Sequence, residues 1–95
     1  AHVRHILFRD QRAIGIAFSQ SASSALTSDD YCYARKGVIL CCGSIDTPVL
    51  LQRSGIGDAS DLRSQACEVR VDLPTVGRCL RDHIAIPLVW ESPSS

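Results

Sequence analysis

The spacing of apolar and polar residues changes along the chain, and each change marks an element. Val3 to Phe8 is mostly apolar and stops at the turn-prone Asp10-Gln11, which predicts a strand. From Ala13 to Phe18, Ile14, Ile16 and Phe18 alternate with the small residues Gly15 and Ala17. That period of two predicts the hairpin partner, an outer strand in which Val at position 15 would be well suited. Ser19 to Asp30 is Ser-rich and ends in Asp-Asp, which predicts a loop or a longer hairpin connection. Tyr31 to Ala34 then returns as a third strand, completing a small antiparallel meander.

Gly37-Val38-Ile39-Leu40-Cys41-Cys42 has a different pattern. A short continuous apolar run that stops at a Gly predicts a strand buried on both faces, as in a parallel sheet. Thr47 is suited to cap a helix and Pro48 to be its first residue; Ser54-Gly55 supplies the left-handed stop. Asp58 or Ser60 can cap a second short helix through Leu62 to Gln65. Glu68 to Leu73 reads as a short strand closed by Pro74. His83 to Trp90 alternates weakly and is a candidate start of another strand. No internal repeat is present. The predicted fold class is α+β or α/β: a meander, a buried parallel strand and short helices.

The 95 residues suffice for one small domain at most. A chain of this size buries only about 60–65% of its unfolded surface. Ten basic and ten acidic residues balance to a net charge of zero. No basic stripe, and no interleaving of aromatics with Arg or Lys, points to nucleic acid. No apolar run approaches the roughly 20 residues that span a bilayer. The chain contains no Met and starts Ala1-His2-Val3. This is neither an initiation site nor a signal peptide, and both ends read as cuts through a longer protein. Five cysteines, at positions 32, 41, 42, 67 and 79, include no Cys-x-x-Cys pair and no His at zinc-ligand spacing. They read as free thiols, and no metal site is expected. Free thiols also lean toward a reducing compartment.

A buried strand followed by a Gly turn and a capped helix brings backbone close to a ligand at a strand end. The turn and helix here, Gly43-Ser44, Thr47-Pro48, Leu50-Leu51 and Ser54-Gly55-Ile56-Gly57, meet every fixed position of a family signature. The chain thereby resembles the glucose–methanol–choline (GMC) oxidoreductases. Val3 to Phe8 with Arg12 to Ile16 is similar to the hairpin ahead of that signature. Val71 to His83 is similar to the stretch after it, which often ends in Asp-His.

The resemblance implies part of an FAD-binding, Rossmann-like domain, with no domain complete in residues 1–95. It implies FAD as cofactor, with a small alcohol as substrate of a full-length parent. Val3 matches the position whose backbone meets the adenine, and Cys41, Cys42 and Gly43 match the strand end that packs beside the cofactor. Cys42 is larger than the residue usual there. Cys79 stands where the family often has Asn, and Cys67 where it often has a small residue.

Two family elements have no counterpart in these residues: the Gly-x-Gly-x-x-Gly pyrophosphate turn and the catalytic His motif. Gly55-Ile56-Gly57 follows a helix and is no substitute. No catalytic residue is therefore assigned. His83 matches the Asp-His element and reads as structural. His2 and His5, on one strand, are expected to point to opposite faces. Asp72 and Asp82 read as solvated turn carboxylates, and Ser54 as a helix-capping residue. The implied activity of the parent is hydride transfer from an alcohol CH–OH group to flavin. The rival reading is a non-catalytic truncated paralogue that acts at best as a binding or interaction module.

Overall fold

Asp10 and Gln11 turn the chain back on itself, with Asp10 in the left-handed region at φ 54°, a conformation that Asp tolerates better than most residues. The computed structural model describes residues 1–20 and 29–91. Strands β1 (His2–Arg9) and β2 (Arg12–Ser19) pair antiparallel from Arg9 opposite Arg12 to His2 opposite Ser19. The register shifts once between Val3 and His5 and again between Leu7 and Phe8. The first shift lies between His2 and His5, so strict alternation does not relate these two side chains.

Strand β3 (Asp30–Tyr33) pairs antiparallel with β2, giving the order β1-β2-β3 and the expected meander. The predicted connection falls mainly on residues 21–28, outside the described residues. Asp29 forms an ion pair with Arg4 of β1, its Oδ1 3.0 Å from Arg4 Nε.

The buried positions of β2 are its small ones: Gly15, Ala17 and Ser19. A Cβ added to Gly15 would run into the carbonyl oxygen of Cys32 on β3. Gly15 is therefore a close-approach position, and the expectation that Val would suit it is corrected.

Helix α1 (Gly43–Arg53) packs on β1. It begins a turn earlier than predicted, with Cys42 at the cap position. Thr47 is not the cap; its Oγ1 accepts the Cys42 N–H at 3.2 Å, bracing the first turn from inside. Pro48 lies within the helix, where it removes one backbone hydrogen bond. The far end follows expectation: Ser54 is the C-cap and Gly55 takes φ 85°.

Ser54 also joins helix to sheet. Its Oγ accepts the Ile6 N–H at 2.9 Å and donates to the Leu50 carbonyl at 2.7 Å. Ser54, Ile6 and Leu50 are all buried.

After Gly55 the chain forms β4 (Ile56–Gly57), helix α2 (Ala59–Ser64) and β5 (Val71–Asp72). Strands β4 and β5 pair in parallel. Of the predicted strand over 68–73 only two residues are regular. Bonds from the Arg70 and Val71 N–H groups to the Gly55 carbonyl, and from Leu73 N–H to the Gly57 carbonyl, hold the flanks.

Asp58 caps α2 by accepting from the N–H groups of Ser60 and Asp61. Arg78 reaches back to Asp58 at 3.5 Å and Asp61 at 2.9 Å. Asp72 Oδ1 accepts the Ala59 N–H at 3.0 Å, so this carboxylate anchors α2 to β5 in addition to meeting solvent.

Residues 37–42 differ most from expectation. They form no strand, and Ile39 is 89% exposed. A parallel strand exists through its neighbours, and among the described residues none lies alongside. The same holds for 83–90, where Ile84 is 95% and Trp90 86% exposed. No helix among the described residues is long and apolar enough to cross a membrane.

Replacing Ser54 with Ala leaves the buried Ile6 N–H without its acceptor. The expected cost is about 1–3 kcal/mol, read as a lower urea midpoint with selective loss of hydrogen-exchange protection at the Ile6 amide. Unchanged protection there refutes the link.

The Ser60 hydroxyl, then the Asp61 and Ser60 N–H groups, and the Arg78 charge hold the Asp58 carboxyl below its ordinary pKa, against a smaller opposing effect of burial. A lowered folded pKa stabilises the fold above the unfolded value of about 4, and this contribution is lost as pH falls through the folded pKa. The Asp58 carboxyl carbon followed by NMR should therefore titrate below about 4, and Ser60→Ala should raise its midpoint more than Arg78→Ala does.

Candidate functional site

With α1 laid along β1, Cys42 comes to the same side as Val3. The two residues line one cavity of about 360 Å³, within the range of about 300–1,000 Å³ common for small-molecule sites. Val49 and Leu50 extend its apolar wall, and Asp46 and Arg53 add a carboxylate and a guanidinium. Positions 46, 49, 50 and 53 form one i, i+3, i+4, i+7 stripe of α1. Sequence reading left out Asp46 and Arg53, although that spacing was the signal that could have found them.

Gly43 is the first residue of the helix and takes φ 84°, and a Cβ placed there would meet nothing within 4 Å. Space is open in front of it, and its conformation favours Gly. Cys41 and Cys42 are both exposed, free thiols. Of the four positions marked by sequence, the structure brings Val3 and Cys42 to one cavity. Cys41 and Gly43 adjoin Cys42 in the chain but do not line that cavity. The open approach at Gly43 leaves room for a group to lie against the apolar wall, with Asp46 and Arg53 placed to meet its polar atoms.

A second cavity, of about 570 Å³, lies between α1 and α2 and includes Asp58 and Asp61. Both of these carboxylates are engaged by Arg78. Ser54 is committed to Ile6 and Leu50, and its role is structural. Asp82 accepts the backbone N–H of His83 at 2.8 Å, and His83 is exposed. Cys79 takes φ 62°, a left-handed conformation that Asn adopts more readily than Cys. Among the described residues no three His, Cys, Asp or Glu side chains are grouped to hold a metal ion.

The hairpin, the Gly43 turn and the Ser54-Gly55 stop lie in the stretch that comparison with known proteins matches. The chain belongs to the GMC oxidoreductases, a family of FAD-dependent enzymes whose model matches residues 1–85.

It is 42% identical over 86 residues to the oxygen-dependent choline dehydrogenase of Cronobacter sakazakii, covering 90% of this chain and 15% of that protein. The enzyme of the same name from Burkholderia thailandensis is also 42% identical over 86 residues, with 90% and 14% covered. Among solved structures, an FAD-dependent oxidoreductase from Chaetomium thermophilum superposes with a TM-score of 0.70 at 39% identity. The match covers 76% of this chain and 12% of that one. The chain thus spans about 15% of the length of the curated relatives it matches.

Adjacent Cα atoms lie about 3.8 Å apart, below the usual disulfide range of about 4.4–6.8 Å. Alkylation without reductant, followed by peptide mass spectrometry, should therefore label Cys41 and Cys42 separately. A two-dalton loss confined to the peptide that carries both would contradict this.

Proposed function

We propose that these residues form part of the FAD-binding domain of an enzyme that oxidises the CH–OH group of an alcohol. In this reading the Val3 backbone and the Cys42 side of the cavity face the adenine end of the cofactor. Cys41 and Gly43 border its approach. The single observation that carries the reading is the juxtaposition of Val3 and Cys42 across one cavity, beside a left-handed Gly43 with open space before it.

When bound, FAD supplies the hydride acceptor. The chain's own contribution is to shape and orient. Val3, Val49 and Leu50 give an apolar wall, Gly43 permits close approach, and the Ser54 link holds α1 in place. No phosphate cradle is present in these residues, so the pyrophosphate would be held by other parts of the protein. Identity to enzymes named choline dehydrogenase supports an alcohol as the substrate class. The Rossmann-like domain is part of the same proposal. There residues 37–42 would gain the strand neighbours that the described residues do not provide.

The test places residues 1–85 into the matching segment of the Cronobacter sakazakii enzyme. Flavin-to-protein absorbance is then measured on the monodisperse folded fraction. Full flavin occupancy is expected for the parent chimera and for Gly37→Val, since Gly37 has no positive φ and Val suits a strand. Gly43→Val should weaken flavin binding at least about fivefold, the effect of losing roughly 1 kcal/mol, and so lower the flavin-to-protein ratio after dilution. Gly43→Asn separates the two roles of this residue, because Asn tolerates positive φ yet fills the space. Full occupancy in both Gly43 variants would remove Gly43 from the cofactor site. A folded parent chimera without flavin would favour a binding or interaction module instead.

A further inference from the structure

We propose that the turn end of the meander binds a small molecule carrying a diphosphate group, held by Arg9, Arg12 and Arg35. The proposal does not rest on the flavin reading. Val3, which lines the cavity beside α1, lies six residues before Arg9 on the same strand, a separation of roughly 20 Å.

Arg9 and Arg12 are register partners on either side of the Asp10-Gln11 turn. Like charges directly opposite one another on adjacent strands are destabilising, so the fold carries a repulsion at this position. Arg4, Arg70 and Arg78 each have a carboxylate partner. Among the described residues Arg9, Arg12 and Arg35 have none, although Asp10 stands in the turn between the first two.

The backbone brings the third arginine to this pair. Just past β3, the Ala34 N–H donates to the Ile14 carbonyl at 2.8 Å. Arg12 Nη2 then donates to the Arg35 carbonyl at 2.9 Å. That bond holds the Arg12 guanidinium beside residue 35 and leaves its other N–H groups for a ligand.

All three arginines line one cavity of about 580 Å³, with Ile14 and Ala34 in its wall and Asp10 as its one carboxylate. Positive charge is therefore in excess there. The guanidinium fork matches phosphate oxygens two at a time. A phosphate monoester presents too few acceptor oxygens for three such forks, and a second linked phosphate supplies the rest.

The experiment titrates sodium pyrophosphate and, separately, sodium sulfate against the 95-residue chain, followed by amide NMR. Pyrophosphate should bind one to one and move the Asp10, Arg12 and Arg35 amides while those of Val3 and Asp61 stay. Arg9→Gln or Arg35→Gln should each weaken binding at least about tenfold, the effect of losing one charge-assisted contact. Arg63→Gln and Arg81→Gln, at exposed arginines outside the cavity, should leave it unchanged. Without ligand, Arg9→Gln should raise the urea midpoint, because it removes the like-charge pair. Pyrophosphate should raise the midpoint of the unchanged chain and not that of the variant. Sulfate that binds as tightly as pyrophosphate, or equal losses at Arg63 and Arg81, means an adventitious ion only and overturns the site. Retention of the chain on phosphatidic acid vesicles without a response to pyrophosphate overturns the small-molecule assignment. A midpoint lowered by Arg9→Gln overturns the repulsion on which the site is argued.

Discussion

One hydroxyl decides how helix α1 lies on the meander. An edge strand presents unpaired N–H groups, and burying one without a partner is costly. Ser54 resolves this for Ile6 and returns its own proton to the Leu50 carbonyl, one of the last acceptors of the helix. A helix end and a strand edge, each with unsatisfied backbone, thus satisfy one another through a single side chain. Because the link is buried beside Ile6 and Leu50, it fixes the distance between the two elements. The cavity between Val3 and Cys42 follows from that placement.

Close backbone approach is the second constraint. Gly15 lets β3 come against β2, and Gly55 both ends α1 at φ 85° and admits the Glu68 carbonyl. With Gly55 so placed, its carbonyl receives the Arg70 and Val71 N–H groups, and the parallel pair β4–β5 forms. The Arg70 guanidinium then lies 5.7 Å from the centre of the Phe8 ring, so this small parallel pair also touches the meander through a cation–π contact. Arg78 adds a surface tie to the α2 cap, of the kind that contributes modestly.

The site is built from pieces with separate jobs. The stripe on α1 supplies walls and charge, β1 supplies backbone, and the turn at Gly43 supplies room. Asp58, Asp61 and Asp72 are bound up in structural contacts, and Ser54 is buried.

Local chemistry was legible in the sequence by itself. The hairpin turn, the meander, a cap for α2 at Asp58 or Ser60, the left-handed Gly55 and the GMC signature all depend on residues close together in the chain. Tertiary structure decided what depends on distant neighbours. Thr47 and Pro48 read as a helix start, but the Cys42 N–H takes the Thr47 hydroxyl and the helix begins at Gly43. Gly15 read as an ordinary strand position until β3 arrived against it. The apolar run 37–42 read as a buried strand, yet hydrophobicity cannot supply the strands beside it. Hydrophobic pattern records which face of an element can be buried; only the packed chain determines whether a partner is there to bury it.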